Sequence, residues 1–331
     1  MIKYRGTRWF KFLKRHTERV RFWSLVILDA NRYYRSNFFA NRSRKTQDNL
    51  RGEIAFYSHA IEKGLIHREF RPLFGKSKLM YMLDLLEEYT EKGYSLSDSR
   101  FVSAVNVIRD YCEVHVKLGF NDQISWITDR LSQFEAIPST TVGALTLKRS
   151  DVLKHVKGSF SDLSNWRHSV RDFAAGDFDE SRVEEALRIS ERTPSVCNRQ
   201  AWKVYISKRA LKQPILDIQG GIGGMAHGVA EVAVITMDNQ YFGNVTERNQ
   251  AFVDGGLFSM TFLYALAEQG VAACPLNADF NNRNDLRMRK LLNIPYQESI
   301  IMVIAMGNYS EESKVPVSLR DSYQHFTKVV D

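Results

Sequence analysis

Three residues between Trp166 and Phe173 can meet a single anion. Arg167, Ser169 and Arg171 alternate along a segment too short for anything but a turn or a strand, with His168 between the first two. Alternation would put two guanidiniums and a hydroxyl on one side, and paired, charge-assisted contacts of this kind are what a phosphate selects. A second polar cluster follows at Pro194-Ser195, where Asn198 and Gln200 lie two apart, just before an apolar run. Its backbone and side-chain amides suit the edge of a polar heterocycle. Taken singly, the first cluster also reads as a solvated basic turn and the second as an ordinary helix-to-strand loop.

In this order the two clusters resemble the FMN-dependent nitroreductase family. There an Arg-x-Ser-x-Arg/Lys element near the start of the domain holds the flavin phosphate and pyrimidine, and a Pro-Ser-x-x-Asn-x-Gln-x-Trp element comes after it. Here the second element closes on Trp202. Pro316-Val317-Ser318-Leu319-Arg320 resembles the family's closing Pro-x-Ser/Lys-x-Arg, whose arginine returns to the phosphate. The resemblance covers residues 158–331.

The resemblance implies an α+β, nitroreductase-like layered fold, with a mixed central sheet flanked by helices and an all-helical N-terminal extension before it. It implies an FMN oxidoreductase that takes hydride from NAD(P)H and reduces a small organic acceptor, working as a homodimer. Arg167, Ser169 and Arg320 would hold the phosphate and Arg171 would lie at the pyrimidine, with His168 and Ser318 of the same motifs as further cofactor-binding residues. Asn198 and the Pro194-Ser195 backbone would border the ring from the second subunit, with Gln200 a further cofactor-binding residue of the same motif, and the backbone at Leu276 and Asn277 would face flavin N5. No catalytic side chain and no metal ligand is assigned. The flavin carries the redox chemistry and the protein supplies grip, orientation and charge. A flavin-bearing scaffold that recruits partners at a membrane through its N-terminal half is the competing reading.

The net charge of +8 is unevenly spread. Residues 1–45 hold thirteen Lys/Arg against Glu18 and Asp29, and the rest of the chain is slightly acidic. The arm interleaves these cations with ten aromatics. Phe10, Leu13, Val20, Trp23 and Ile27 recur at helical spacing, which predicts an amphipathic helix. An arm packed on its own protein and a peripheral membrane contact are the leading readings, and nucleic acid is disfavoured. Cys112, Cys197 and Cys274 stand far apart, as expected of a reducing cytoplasm, and the apolar run Phe22 to Leu28 is too short to span a bilayer. The expected location is therefore cytoplasmic, with the inner membrane face as the alternative that the arm raises.

Around these residues the sequence predicts an arm over 1–45, a helical domain over 46–137, a linker over 138–157 and the FMN domain over 158–331. Strands are expected at Val204–Ile206, Val232–Thr236, after Gly270, and at Ile300–Met306 stopped by Gly307, with helices over 181–191 and 251–268. His59 and Glu62, one helical turn apart, could ligate a metal or exchange a proton, though such a pair is more often an ion-paired helix end. Gly221-Ile-Gly223-Gly-Met-Ala226 matches a dinucleotide fingerprint but lacks the preceding strand, so no nicotinamide site is expected there.

Overall fold

The structure, a computed structural model, describes residues 8–36 and 45–330. The side chains of residues 8–15 and of residue 209 are outside the described set, and with them the expectations for Phe10 and Leu13. In chain order come α1 (Arg8–Ser36), α2 (Gln47–Leu65), α3 (Lys76–Glu91), α4 (Ser99–Lys117), α5 (Asn121–Leu131), β1 (Ala144–Lys148), α6 (Arg149–His155), α7 (Phe160–Trp166) and β2 (Phe173–Ala174). Then follow α8 (Ser181–Ser190), β3 (Trp202–Lys208), α9 (Lys212–Gln219), β4 (Glu231–Asp238), α10 (Gln250–Glu268), β5 (Ala272–Asn277), α11 (Asn282–Leu292), β6 (Glu298–Tyr309), β7 (Glu312–Pro316) and α12 (Tyr323–Phe326).

These elements form two compact units. The helical unit takes the described residues through 175, except those of α1, together with 224–228 and 309–330; the sheet unit takes α1, 176–223 and 229–308. The expected division at 138–157 is therefore not where the units part. Within that supposed linker β1 forms and pairs antiparallel with β7, from Ala144 opposite Pro316 to Lys148 opposite Glu312. The C-terminal residues thus fold with the helical extension.

In the helical unit, Thr46 starts α2 with a capping box shared with Asn49. Apolar residues then recur at three- and four-residue steps. Leu50, Ile54 and Ile61 of α2 meet Met82, Leu83 and Leu86 of α3 and Val105 and Ile108 of α4, all with almost no exposure. Each such side chain contributes roughly 1.5–3 kcal/mol relative to exposure, which makes this layer a stable frame.

In the sheet unit β4 is the central strand, and all eight of its residues are buried. It pairs antiparallel with β3 on one side and β6 on the other, and β5 pairs antiparallel with the far part of β6. The α+β reading, a sheet flanked by helices, holds, and these three pairings are antiparallel. β6 does not stop at Gly307, which pairs with Ala272 and lets the strand run on to Tyr309. Phe258, Phe262 and Leu266 of α10 and Val183 and Ala186 of α8 cover Ala233, Ile235 and Ile304. Gly255 permits this approach, since a Cβ there would sit 2.8 Å from Ile301 Cγ1. Helix α9 precedes the glycine run and β4 follows it, the reverse of the dinucleotide order. Among the described residues no helix is long and apolar enough to cross a membrane.

Candidate anion site and the polar turn

In the helical unit the basic segment starts where α7 ends. Ser159 and Asp162 form a capping box at the start of that helix, and Arg167 leaves its end in an extended conformation. Trp166 is fixed by stacking on His155, with ring centroids 4.2 Å apart and planes 4° off parallel. His168 is tied back by a 3.0 Å contact between Nδ1 and the Trp166 carbonyl. Burial pushes the His168 pKa down, and the charges of Arg167 and Arg320 push it the same way. Burial raises the Tyr309 phenol to about 12, with the charge of Arg167 opposing. Arg167 and Arg320 thus both lie within electrostatic reach of His168.

Arg171 is 7 % exposed. One Nη donates to the Ser169 carbonyl at 3.3 Å, while its Nε is buried with no hydrogen-bond partner among the described residues. A buried, unpaired donor on a charged group costs a few kcal/mol unless something else accepts from it.

Ser318 takes a different place from the one expected. Its backbone N–H and Oγ both donate to the Glu62 carboxylate, at 3.2 and 3.3 Å, and His59 Nδ1 lies 3.5 Å from the same Oγ. Glu62 is almost wholly buried. The donors that the motif would give to a phosphate thus already hold a carboxylate. Ser318 itself adopts a left-handed φ of 48°, unusual for a serine. Two residues on, Arg320 donates to the Ser318 carbonyl at 2.6 Å. Asp321 then anchors the arm: it accepts from Ser99 Oγ, from Arg100 Nε and Nη2 at 3.2 and 3.1 Å, and from Arg51 Nη2 at 3.3 Å. Arg51 in turn is paired with buried Asp98.

The sheet unit carries the other cluster. Asp254, 1 % exposed on α10, accepts from the Val196 N–H at 3.2 Å and fixes the turn after Pro194. Ser195 Oγ accepts from the Gln200 N–H at 3.0 Å, and Gln200 Nε2 donates to Asn198 Oδ1 at 3.0 Å. Arg199 is gripped by Glu247 at 2.5 Å and by the Tyr241 carbonyl at 3.0 Å. Cys197, Asn198 and Gln200 all have φ near 50°. Strain of this density is found where the surrounding structure over-determines a backbone shape. In the same unit Asn277 ends β5, and both its carbonyl and its side-chain oxygen accept from Gln219.

The sequence offers no sign of the roles of Asp254 and Asp321, and it gives Glu62 only His59 as a partner. Glu62 had a signal, as half of the pair with His59, and the two do lie 3.7 Å apart. Its contact with Ser318 makes it a clamp rather than a metal ligand. Among the described residues no group of three or more His, Cys, Asp or Glu could hold a metal ion.

Comparison with known proteins agrees with the position of these motifs. Residues 165–222, which hold both the basic segment and the polar turn, match the model of the Nitroreductase family. At the level of class this is an oxidoreductase segment. No curated protein matches the chain. Similar solved structures include nitroreductase family proteins from Clostridium difficile 630 and Streptococcus pneumoniae TIGR4, each 16 % identical, with TM-scores of 0.43 and 52 % of this chain covered. These cover 98 % and 100 % of their own lengths. A nitroreductase with bound FMN from Desulfitobacterium hafniense DCB-2 is 20 % identical, with a TM-score of 0.39, over 55 % of this chain and 98 % of its own. Likeness at that level says nothing about activity.

Proposed function

We propose that this protein is an FMN-dependent oxidoreductase that takes hydride from NAD(P)H and passes reducing equivalents to a small organic acceptor. The observation that carries the reading is the Arg171 guanidinium, buried with an unanswered Nε–H in a segment where Arg167 and Arg320 already crowd His168 with positive charge. Such a cluster is destabilised by itself and relieved by an anion, and its residue types fit a phosphate monoester carried by a polar ring.

Bound there, FMN supplies reversible two-electron chemistry. The chain contributes the rest. Arg167 and Arg320 hold the phosphate with charge-assisted bonds, each worth roughly 1.5–3 kcal/mol, and Ser169 adds a hydroxyl. Arg171 places a fixed cation at low dielectric, where it favours added negative charge on the ring. Pro194, Ser195, Asn198 and Gln200 give the ring edge a stiff polar border supplied by the second subunit of a homodimer. Leu276 and Asn277 offer backbone rather than side chains. Ser318 serves through Glu62, which holds the C-terminal arm so that Arg320 keeps its position.

The test is anaerobic titration of the purified protein with NADPH and NADH. A yellow protein that bleaches with one of them and recovers its colour on adding an acceptor is the expected result. A protein that is colourless and gains no bound flavin when mixed with FMN would rule the reading out.

A further inference from the structure

Helix α1 meets the rest of the sheet unit along one narrow strip. Phe22, Leu25, Val26 and Asp29 are half-buried there. Asp29 is the clamp, accepting from Arg248 Nε and Nη2 at 2.8 and 2.5 Å and from Asn249 at 3.3 Å. With 3.6 residues to a turn, Val20, Trp23, Ile27 and Tyr34 fall on the far side of the helix. They are 60, 53, 57 and 70 % exposed. This is an apolar stripe on a surface helix, directed away from the core that ordinarily explains such a stripe.

Charge decides what covers it. The span 8–36 carries eight Lys/Arg and two acids, and one of those acids, Asp29, is taken by Arg248. A second copy of α1 laid on the stripe would bring like charges together. A nucleic-acid backbone would select a continuous row of cations, not aliphatic and indole side chains at its centre. On this helix Arg35 and, further round, Arg21 lie on one side of the stripe and Arg19 on the other, and all three are exposed. Cations beside a Trp- and Ile-bearing stripe, on a helix unable to cross a membrane, form the pattern of a helix lying in a lipid interface. We propose that the outward face of α1 lies on an anionic lipid surface. Val20, Trp23 and Ile27 enter the boundary between headgroups and acyl chains, and the flanking arginines meet lipid phosphates. The chain is thereby a peripheral protein, held by α1, whose flavin chemistry is independent of the attachment.

Flotation of the full-length protein with phosphatidylglycerol/phosphatidylcholine vesicles tests this, with pure phosphatidylcholine vesicles as control. Binding is expected to the anionic vesicles alone, with at least a tenfold fall between low salt and about 0.5 M salt, because screening shortens the reach of each arginine. A Val20→Asp/Ile27→Asp variant should lose at least tenfold in vesicle binding while keeping the circular dichroism and flavin content of the parent. Arg19→Gln/Arg21→Gln/Arg35→Gln should weaken binding at low salt and remove most of its salt dependence. The proposal fails if the parent ignores anionic vesicles at low salt, or if the double aspartate variant floats as well as the parent. It also fails if that variant changes its mass in light scattering with no vesicle binding to lose, which would make the stripe an interface between copies. Binding to duplex DNA without binding to vesicles would overturn it as well.

Discussion

The basic segment 167–171 and the polar turn 194–200 are both rich in donors, and they use them in opposite ways. In the turn nearly every polar group is answered from within: Ser195 by the Gln200 amide, Asn198 by the Gln200 side chain, Arg199 by Glu247, and the Val196 amide by Asp254. In the basic segment the charges repel. His168 is driven toward its neutral form, and Arg171 keeps a buried N–H that no described residue accepts. A self-satisfied turn is a shape, held ready and needing nothing. A buried donor left unanswered, as at Arg171, is a demand for a partner. The first suits the border of a ring and the second suits an anion.

Removing the demand is the strongest way to break this contrast. Arg167→Ala/Arg320→Ala should leave a folded protein whose FMN affinity, measured by fluorescence quenching, falls at least about a hundredfold. Loosening the arm that carries Arg320 comes next. Asp321→Ala removes the acceptor for Ser99 and Arg100 while Arg51 keeps Asp98, so chemical denaturation should show a loss of about 2 kcal/mol and FMN affinity should drop about tenfold.

Glu62→Gln sharpens the contrast by separating stability from binding. The Ser318 amide and hydroxyl lose a charged acceptor, so stability falls by about 1 kcal/mol, yet removal of a nearby negative charge should raise FMN affinity about threefold. If both quantities fall together, Glu62 acts through the position of Arg320 alone.

The smallest effect concerns Asp110 on α4. Burial, with Glu113 and Glu62 adding to it, raises its pKa to about 6. A carboxyl whose folded pKa lies above its unfolded value binds more protons in the native state, so its contribution to stability declines as pH rises from about 4 to 6. Asp110→Asn should therefore stabilise the protein at pH 8 by about 1 kcal/mol, after allowance for solvent screening of this half-exposed group, and the gain should vanish near pH 4. Thermal melting of both proteins across that range checks the sign.

How much of this was legible in the sequence depended on the distance over which residues must find one another. Elements fixed by local pattern were readable. The run Val232–Thr236 is apolar because β4 is covered on both faces, and α8 and α10 show their helical period over a few turns. The basic segment and the polar turn were readable because their donors lie within a few residues of each other. The strand β1 was not, since its partner β7 lies far along the chain and a short ribbon carries little alternation of its own. For the same reason Glu62 looked like a partner for His59, three residues away, and not for Ser318, 256 residues away. The anchor between Arg51 and Asp321 spans 270 residues and left no local trace. Charge placement by tertiary contact is what the sequence hid, and it decides which motif donors are spent and which remain.

The central claim is that this cluster recognises a phosphate, and one comparison tests it without any mutation. Titration of the flavin-free protein with FMN and with riboflavin, which share the ring and differ in the phosphate, isolates the contribution of Arg167, Ser169 and Arg320. FMN should bind at least about a hundredfold more tightly than riboflavin at low salt, because roughly 3 kcal/mol or more of charge-assisted contact is absent from the second ligand. Equal affinity for the two flavins, or no affinity for either, would contradict the assignment.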